Sequence, residues 1–125
     1  MPTTPRFGLL PNDDNTGRTQ TYDYQTPAYA ATIAIIATQG DTIVAPAQLT
    51  GNLTLSINAS TSAIAPYAGD KILFLFNNNN TTCTVTFGTG FSPNGTLSNT
   101  ASYLSACAFV YNGTTWQELY RSTVA

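Results

Sequence analysis

The stretch Gly69 to Gly88, GDKILFLFNNNNTTCTVTFG, constrains the fold more than any other part of the chain. In extended backbone, successive side chains point to opposite faces. Ile72, Phe74 and Phe76 then share one face, and Leu73 and Leu75 the other. Both faces are apolar, as in a strand covered on both sides. Asn77 to Asn80 follow, four residues poor in strand propensity and rich in turn chemistry. Cys83, Val85 and Phe87 alternate with Thr82, Thr84 and Thr86, giving one apolar face and one wet face. The stretch reads as two β-strands joined by a polar turn.

Similar signals run along the rest of the chain. Thr26-Pro27-Ala28 could open a helix, with Thr as N-cap and Pro at the first position. The β-branched Thr32, Ile33, Ile35 and Ile36 favour a strand over residues 29–37 instead. Asp41 to Ala45 reads as a short strand stopped by Pro46. Leu53, Leu55 and Ile57 alternate with Thr54, Ser56 and Asn58 in a half-buried strand. Residues 88–99 read as a loop rich in Gly and Asn. From Tyr103 to Tyr111, one parity holds Tyr103, Cys107, Phe109 and Tyr111, and the other Leu104, Ala106, Ala108 and Val110. Asn112-Gly113 is a strong two-residue hairpin signal. It leads into Thr115 to Arg121, where Trp116, Glu118 and Tyr120 share a face.

About seven to eight strands with regular turn signals predict an all-β fold. The expected architecture is an antiparallel β-sandwich, jelly-roll or Greek-key. Strands 72–76 and 103–111 are apolar on both faces, and no helix is expected to cover the outer one. Another subunit is the natural cover. A homo-oligomer, a trimer, is therefore expected, with Leu73, Leu75, Leu104, Val110 and Trp116 as oligomer or core residues.

Residues 1–28 differ from the sandwich domain expected over 29–125. Pro2, Pro5, Pro11, the turn-like Asn12-Asp13-Asp14-Asn15 and Gly17 break any periodicity. Yet Phe7, Leu9 and Leu10 are apolar, and Tyr22, Tyr24 and Tyr29 follow, which a simple disordered tail would avoid. The segment reads as an extended arm, ordered against a partner or packed back on its own domain.

Charged residues make up 8% of the 125 residues, against roughly 25% in an average globular protein. That sparseness suits a β-rich surface and equally a surface lying against another protein, where few charges need desolvation. The net charge is −2, and Arg6, Arg18, Lys71 and Arg121 are scattered. Nucleic-acid binding through released counterions needs clustered cations and is not expected. No apolar run approaches the roughly 18 residues of a membrane span, and no secretion signal is read. Sequons at Asn52, Asn58, Asn79, Asn80, Asn94 and Asn112 are accordingly expected to stay unmodified.

Catalytic chemistry has little to build on. With no histidine, the usual general base and zinc ligand are missing. Two cysteines, Cys83 and Cys107, are too few for a Cys-only zinc site and read as buried thiols, with a disulfide between them left open. Asn12 to Asn15 lacks the spaced acids and closing Glu of a calcium loop. Glu118 beside Trp116 and Tyr120 is the one constellation that resembles a sugar site; alternatively Trp116 fills core and Glu118 pairs with Lys71 or Arg121. No enzyme, cofactor or metal is expected.

Four pieces, in order, carry a family resemblance: Gly51-Asn52-Leu53-Thr54-Leu55, Ala68-Gly69-Asp70-Lys71-Ile72-Leu73, Thr84-Val85-Thr86-Phe87-Gly88, and Phe109 to Leu119, FVYNGTTWQEL. Residues 51–121 thereby resemble the small β-sandwich modules of tailed-bacteriophage virion proteins; residues 1–28 are not covered. The resemblance implies a capsid decoration (cement) protein on the virion surface, often trimeric, bound to the major capsid protein. Phe7, Leu9, Leu10, Tyr22 and Tyr24 would then be the arm's capsid contacts. A receptor- or carbohydrate-binding module of a head or tail fibre is the alternative that the same resemblance allows.

Overall fold

The structure, a computed structural model, describes residues 22–37, 39–58, 66–79, 81–99 and 104–122. Among them lie ten strands and no helix: β1 (Tyr22–Gln25), β2 (Thr32–Ile35), β3 (Asp41–Val44), β4 (Leu53–Ile57), β5 (Lys71–Asn77), β6 (Cys83–Phe87), β7 (Phe91–Ser92), β8 (Leu97–Asn99), β9 (Leu104–Tyr111) and β10 (Trp116–Arg121). They form a six-stranded sheet in the order β1-β3-β5-β9-β10-β7 and a four-stranded sheet in the order β2-β4-β6-β8.

The all-β, sandwich-like arrangement is as expected, but the strand directions are not all antiparallel. β1–β3, β3–β5, β2–β4, β4–β6 and β10–β7 are parallel pairs. Only β5–β9, β9–β10 and β6–β8 run antiparallel among the described residues. Parallel neighbours cannot be joined by a tight turn, so the chain crosses to the opposite sheet before returning. Strands β1 to β9 accordingly alternate between sheets, and only β9 and β10 are both consecutive and paired. From β1 to β6 each pass lays one strand of each sheet beside the previous one, like coils of a solenoid; β7 instead joins the far edge beside β10. Backbone bonds join the coils beyond the strands: Ala47 N donates to Pro27 O at 2.8 Å and Asn58 N to Ile35 O at 2.8 Å.

This topology corrects the reading of the Gly69–Gly88 stretch. β5 and β6 are not a hairpin; they lie in different sheets. The Asn run is the corner between them. Asn78 is buried there, its side-chain amide donating to Thr81 O at 2.8 Å. Leu49 seats against the same corner, its N–H donating to Asn77 O at 2.7 Å and its C=O accepting from Asn79 N at 3.1 Å. Two short strands, β7 and β8, lie in the stretch read as a loop, and β1 lies within the segment read as an arm. The tight hairpin expected at Asn112-Gly113 is a four-residue loop, because Tyr111 pairs with Trp116. Asn112 Oδ1 organises it, accepting from Thr114 N and Thr115 N at 2.9 Å each, and Gly113 takes a φ of +96°.

The alternation of side chains decides what is inside. Ile72, Phe74 and Phe76 of β5 face the core fully buried, with Cys107 and Phe109 of β9 beside them. Leu53, Leu55, Cys83, Val85 and Phe87 face them from the smaller sheet. Phe87 is the ring that the smaller sheet contributes to an aromatic cluster. Its centroid lies 4.8 Å from Phe109, 5.5 Å from Phe91, 5.6 Å from Phe74 and 6.4 Å from Phe76, with tilted or edge-on planes. Such pairs contribute about 0.5–1.5 kcal/mol each beyond their area burial. Gly90, with a φ of +93°, carries the chain from β6 into β7 against Ile57, and an added Cβ would come within 2.7 Å of the Ile57 Cβ.

Two substitutions probe this core from opposite directions. Phe87→Ala is expected to lower unfolding free energy by about 3–5 kcal/mol in denaturant titration. Thr42 is buried on the core side of β3, and its hydroxyl has no hydrogen-bond partner among the described residues. Thr42→Val keeps the shape and removes that desolvated hydroxyl, so the same titration should show unchanged or higher stability.

Candidate functional site: the outer face of the six-stranded sheet

A strand whose two faces are both apolar leaves one of them outside when its sheet has a single covering layer. In β5 the outward residues are Leu73 and Leu75, half-buried and 39% exposed. In β9 they are Leu104, Ala106, Ala108 and Val110. Register aligns these side chains across the sheet. Tyr24 pairs with Ile43, Ile43 with Leu73, Leu73 with Ala108 and Ala108 with Tyr120, an uncharged row across five strands. Leu75 pairs with Ala106 in the next row. Leu104 at 69%, Tyr120 at 56%, Tyr24 at 52% and Leu119 at 51% are exposed large apolar side chains.

Small residues between large ones leave hollows. One, of about 510 Å³, lies among Ala45, Leu75, Leu104 and Ala106. Another, of about 270 Å³, lies among Ile43, Leu73, Ala108 and Tyr120, with Asp41 and Lys71 at its rim. The hollows hold no cluster of acids or bases. The surface can bury apolar area.

The neighbouring edge explains why. The ladder between β9 and β10 shifts register between Glu118 and Tyr120. This β-bulge changes which way later residues point. Trp116 and Glu118 face inward, whereas Tyr120 joins the outer row, so the three expected on one face are divided. Trp116 is 2% exposed and packs on Tyr111 at 4.9 Å. Arg121, after the bulge, turns back toward Glu118. Its Nε and Nη2 donate to the carboxylate at 2.7 and 2.6 Å. The same guanidinium donates to Thr96 O at 2.8 Å, Gly95 O at 3.2 Å and Asn94 O at 3.3 Å, while Asn94 N donates to Glu118 at 2.9 Å. The pair clasps the 94–96 loop onto β10.

The Arg121 hydrogen bonds hold the Glu118 carboxyl below the usual carboxylate range, helped by Asn94 N and opposed by burial. Glu118 in turn raises Arg121. Burial first, and then the Glu118 charge, push the Cys107 thiol up to about 12. At neutral pH it stays protonated and is no nucleophile. Cys83 and Cys107 are both free and buried. Among the other described acids, Asp70 accepts from Gly40 N and Tyr67 N at 3.0 and 2.8 Å, and Asp23 accepts from Gln25 at 2.9 Å. Among the described residues no group of three or more His, Cys, Asp or Glu could hold a metal, and no helix is long and apolar enough to cross a membrane.

Of the residues singled out in the sequence, Leu73, Leu75, Leu104, Val110 and Tyr24 fall on this outer face, and Trp116 falls in the core. Tyr22 pairs with Asp41 in β1. Phe7, Leu9, Leu10 and the Asn12–Asn15 turn lie outside the described residues. Ile43, Leu119 and Tyr120 were missed as members of the face. The parity of Ile43 is readable in the sequence, but the bulge that turns Tyr120 outward leaves no signal there.

The clasp has a pH signature. Glu118 has a lower pKa folded than unfolded, so its contribution is fully present above the ordinary carboxylate value of about 4.3 and is lost as pH falls through the folded one. Glu118→Gln should cost about 1–3 kcal/mol at pH 7 and show a smaller stability loss between pH 7 and 3 than the wild type in urea titrations. Arg121→Ala leaves a buried carboxylate without its cation and should cost about 3–5 kcal/mol at pH 7.

Compared with known proteins, the chain matches no family model and no curated protein.

Proposed function

We propose that this chain is a structural virion protein, a capsid decoration (cement) protein that binds the major capsid protein and stabilises a phage head. The observation that supports the reading most is the outer face of the six-stranded sheet, which is broad, uncharged across its middle rows and apolar. Contact with other proteins is what such a surface is suited to. Glu118 is spent on the 94–96 clasp and Asp70 on backbone N–H groups, which leaves Asp41 at the rim of the smaller hollow. The resemblance over residues 51–121 supplies the biological setting.

In this reading the protein acts mechanically. Copies associate with one another and bridge neighbouring capsomers, adding binding energy to a shell under internal pressure. Each contact need only be modest, because linked contacts act together through effective concentration. Phe7, Leu9 and Leu10 remain the candidate capsid anchors, and a trimer is the assembly that the resemblance implies. The fibre alternative needs an aromatic and carboxylate constellation open to a sugar, and the split of Tyr120 from Trp116 and Glu118 removes the one that the sequence offered.

Deletion should stop at residue 21, because residues 22–25 form β1 of the larger sheet. The shortened protein is expected to keep a cooperative unfolding transition and to lose co-sedimentation with undecorated heads, which the full chain retains. A full chain that ignores such heads yet binds on a glycan array would transfer the protein to the fibre class.

A further inference from the structure

The loop between β9 and β10 holds chemistry that the decoration role leaves unused. Asn112 and Gly113 open that loop, and both are exposed. We infer that Asn112-Gly113 is a self-modifying site, at which the Gly113 backbone nitrogen closes onto the Asn112 side-chain carbonyl and expels ammonia. An activated amide, an unbonded N–H beside it and open water meet there.

The electrophile is the side-chain amide. Asn112 Oδ1 accepts from Thr114 N and Thr115 N at 2.9 Å each. Two backbone donors on one side-chain atom also identify that atom as the oxygen. When a nucleophile adds to Cγ, negative charge develops on this oxygen, and donors already aimed at it stabilise the charge without rearrangement. Asn112 Nδ2 donates to Thr115 Oγ1 at 3.4 Å, and Ser92 Oγ lies 3.1 Å beyond that hydroxyl. The nucleophile is the next residue in the chain, so the attack is intramolecular. Gly113 stands in open space, and its N–H has no acceptor among the described residues.

Hydroxide removes the Gly113 amide proton, and the nitrogen bonds to Cγ. The Cγ–Nδ2 bond then breaks, and ammonia leaves with its third proton taken from water. Water next opens the five-membered imide at either carbonyl. One product has an ordinary aspartate at this position, and the other an isoaspartate whose chain runs through the former side chain. Each adds one negative charge to a chain of net charge −2. The aspartate keeps an oxygen for Thr114 N and Thr115 N. The isoaspartate adds a carbon to a loop pinned by Asn112 N on Thr115 O at 3.0 Å and by the pairing of Tyr111 with Trp116. The β9–β10 connection therefore acquires new forms with age.

Asn94-Gly95 is a comparison within the same chain. It too is exposed, and Gly95 has a φ of +84° against +96° at Gly113. Its backbone, however, is clasped: Asn94 N donates to Glu118 at 2.9 Å, and Asn94 O and Gly95 O accept from Arg121 at 3.3 and 3.2 Å. Among the described residues no N–H donates to the Asn94 side-chain oxygen. The clasp resists the backbone rotation that ring closure needs, and the developing charge has no donor.

Mass spectrometry of peptic peptides tests this on the full chain, aged in mildly alkaline buffer with and without guanidinium chloride. In the folded protein Asn112 should convert roughly tenfold or more faster than Asn94. In guanidinium chloride, where both lose their folded partners, the two rates should converge. A folded protein in which Asn112 stays an amide overturns the inference. A ratio of the two rates no larger in the folded chain than in the unfolded one overturns it as well.

Discussion

A parallel pair of strands forbids a short return, and that constraint shapes this molecule. To lay β3 beside β1 and β5 beside β3 in the same direction, the chain must travel back between them. It does so through the opposite sheet, where β2, β4 and β6 build their own parallel ladder. One core is closed twice by each pass. The corners must then be sharp: Asn78 is buried at one, its amide donating to Thr81 O, and Gly90 sits against Ile57 at another. Antiparallel pairing begins only where the winding ends, at β8, β9 and β10.

That ending decides where charge goes. With 8% charged residues the chain has few ions to place. Glu118 and Arg121 are placed at the last strand, where the loop between β7 and β8 needs holding. Without that clasp the carbonyls of Asn94, Gly95 and Thr96 would lose the donor they share. Asp70 does similar work at the other end of β5, tying Gly40 N and Tyr67 N together. Ions used to hold loops are not available to the sheet faces. The outer face is left with its aliphatic and tyrosine side chains, and Asp41 and Lys71 only at one border.

Side-chain parity was readable because burial on a pleated strand has period two. The split of Ile72, Phe74 and Phe76 from Leu73 and Leu75 follows from the Gly69–Gly88 stretch alone, whereas two apolar faces do not tell which one the smaller sheet covers. Strand direction was not readable. A polar tetrapeptide between two apolar runs looks alike whether it closes a hairpin or carries the chain to another sheet, and only the partners of β5 and β6 distinguish the two. The two-residue β7 and three-residue β8 are too short to show a period at all. The bulge after Glu118 is a third kind of blind spot. It depends on Arg121 reaching Glu118 and three carbonyls of a loop more than twenty residues away in sequence, which no local window contains.

The two faces of the larger sheet differ chemically. The inner face is aromatic, and rings that interlock at 4.8–5.8 Å give one packed arrangement. The outer face is alanine, leucine and tyrosine on a backbone already fixed by hydrogen bonds to both sides. Alanine has no rotamers to lose, and tyrosine has few, so docking onto this face costs little conformational entropy. A small area can then be enough for association, because less of the gain is spent on ordering. On a repeating shell the same logic extends outward: a rigid slab that binds weakly at one face and is tethered at another point gains from each contact already made. The decoration role proposed above asks for that combination, stiffness within the module and modest contacts between modules.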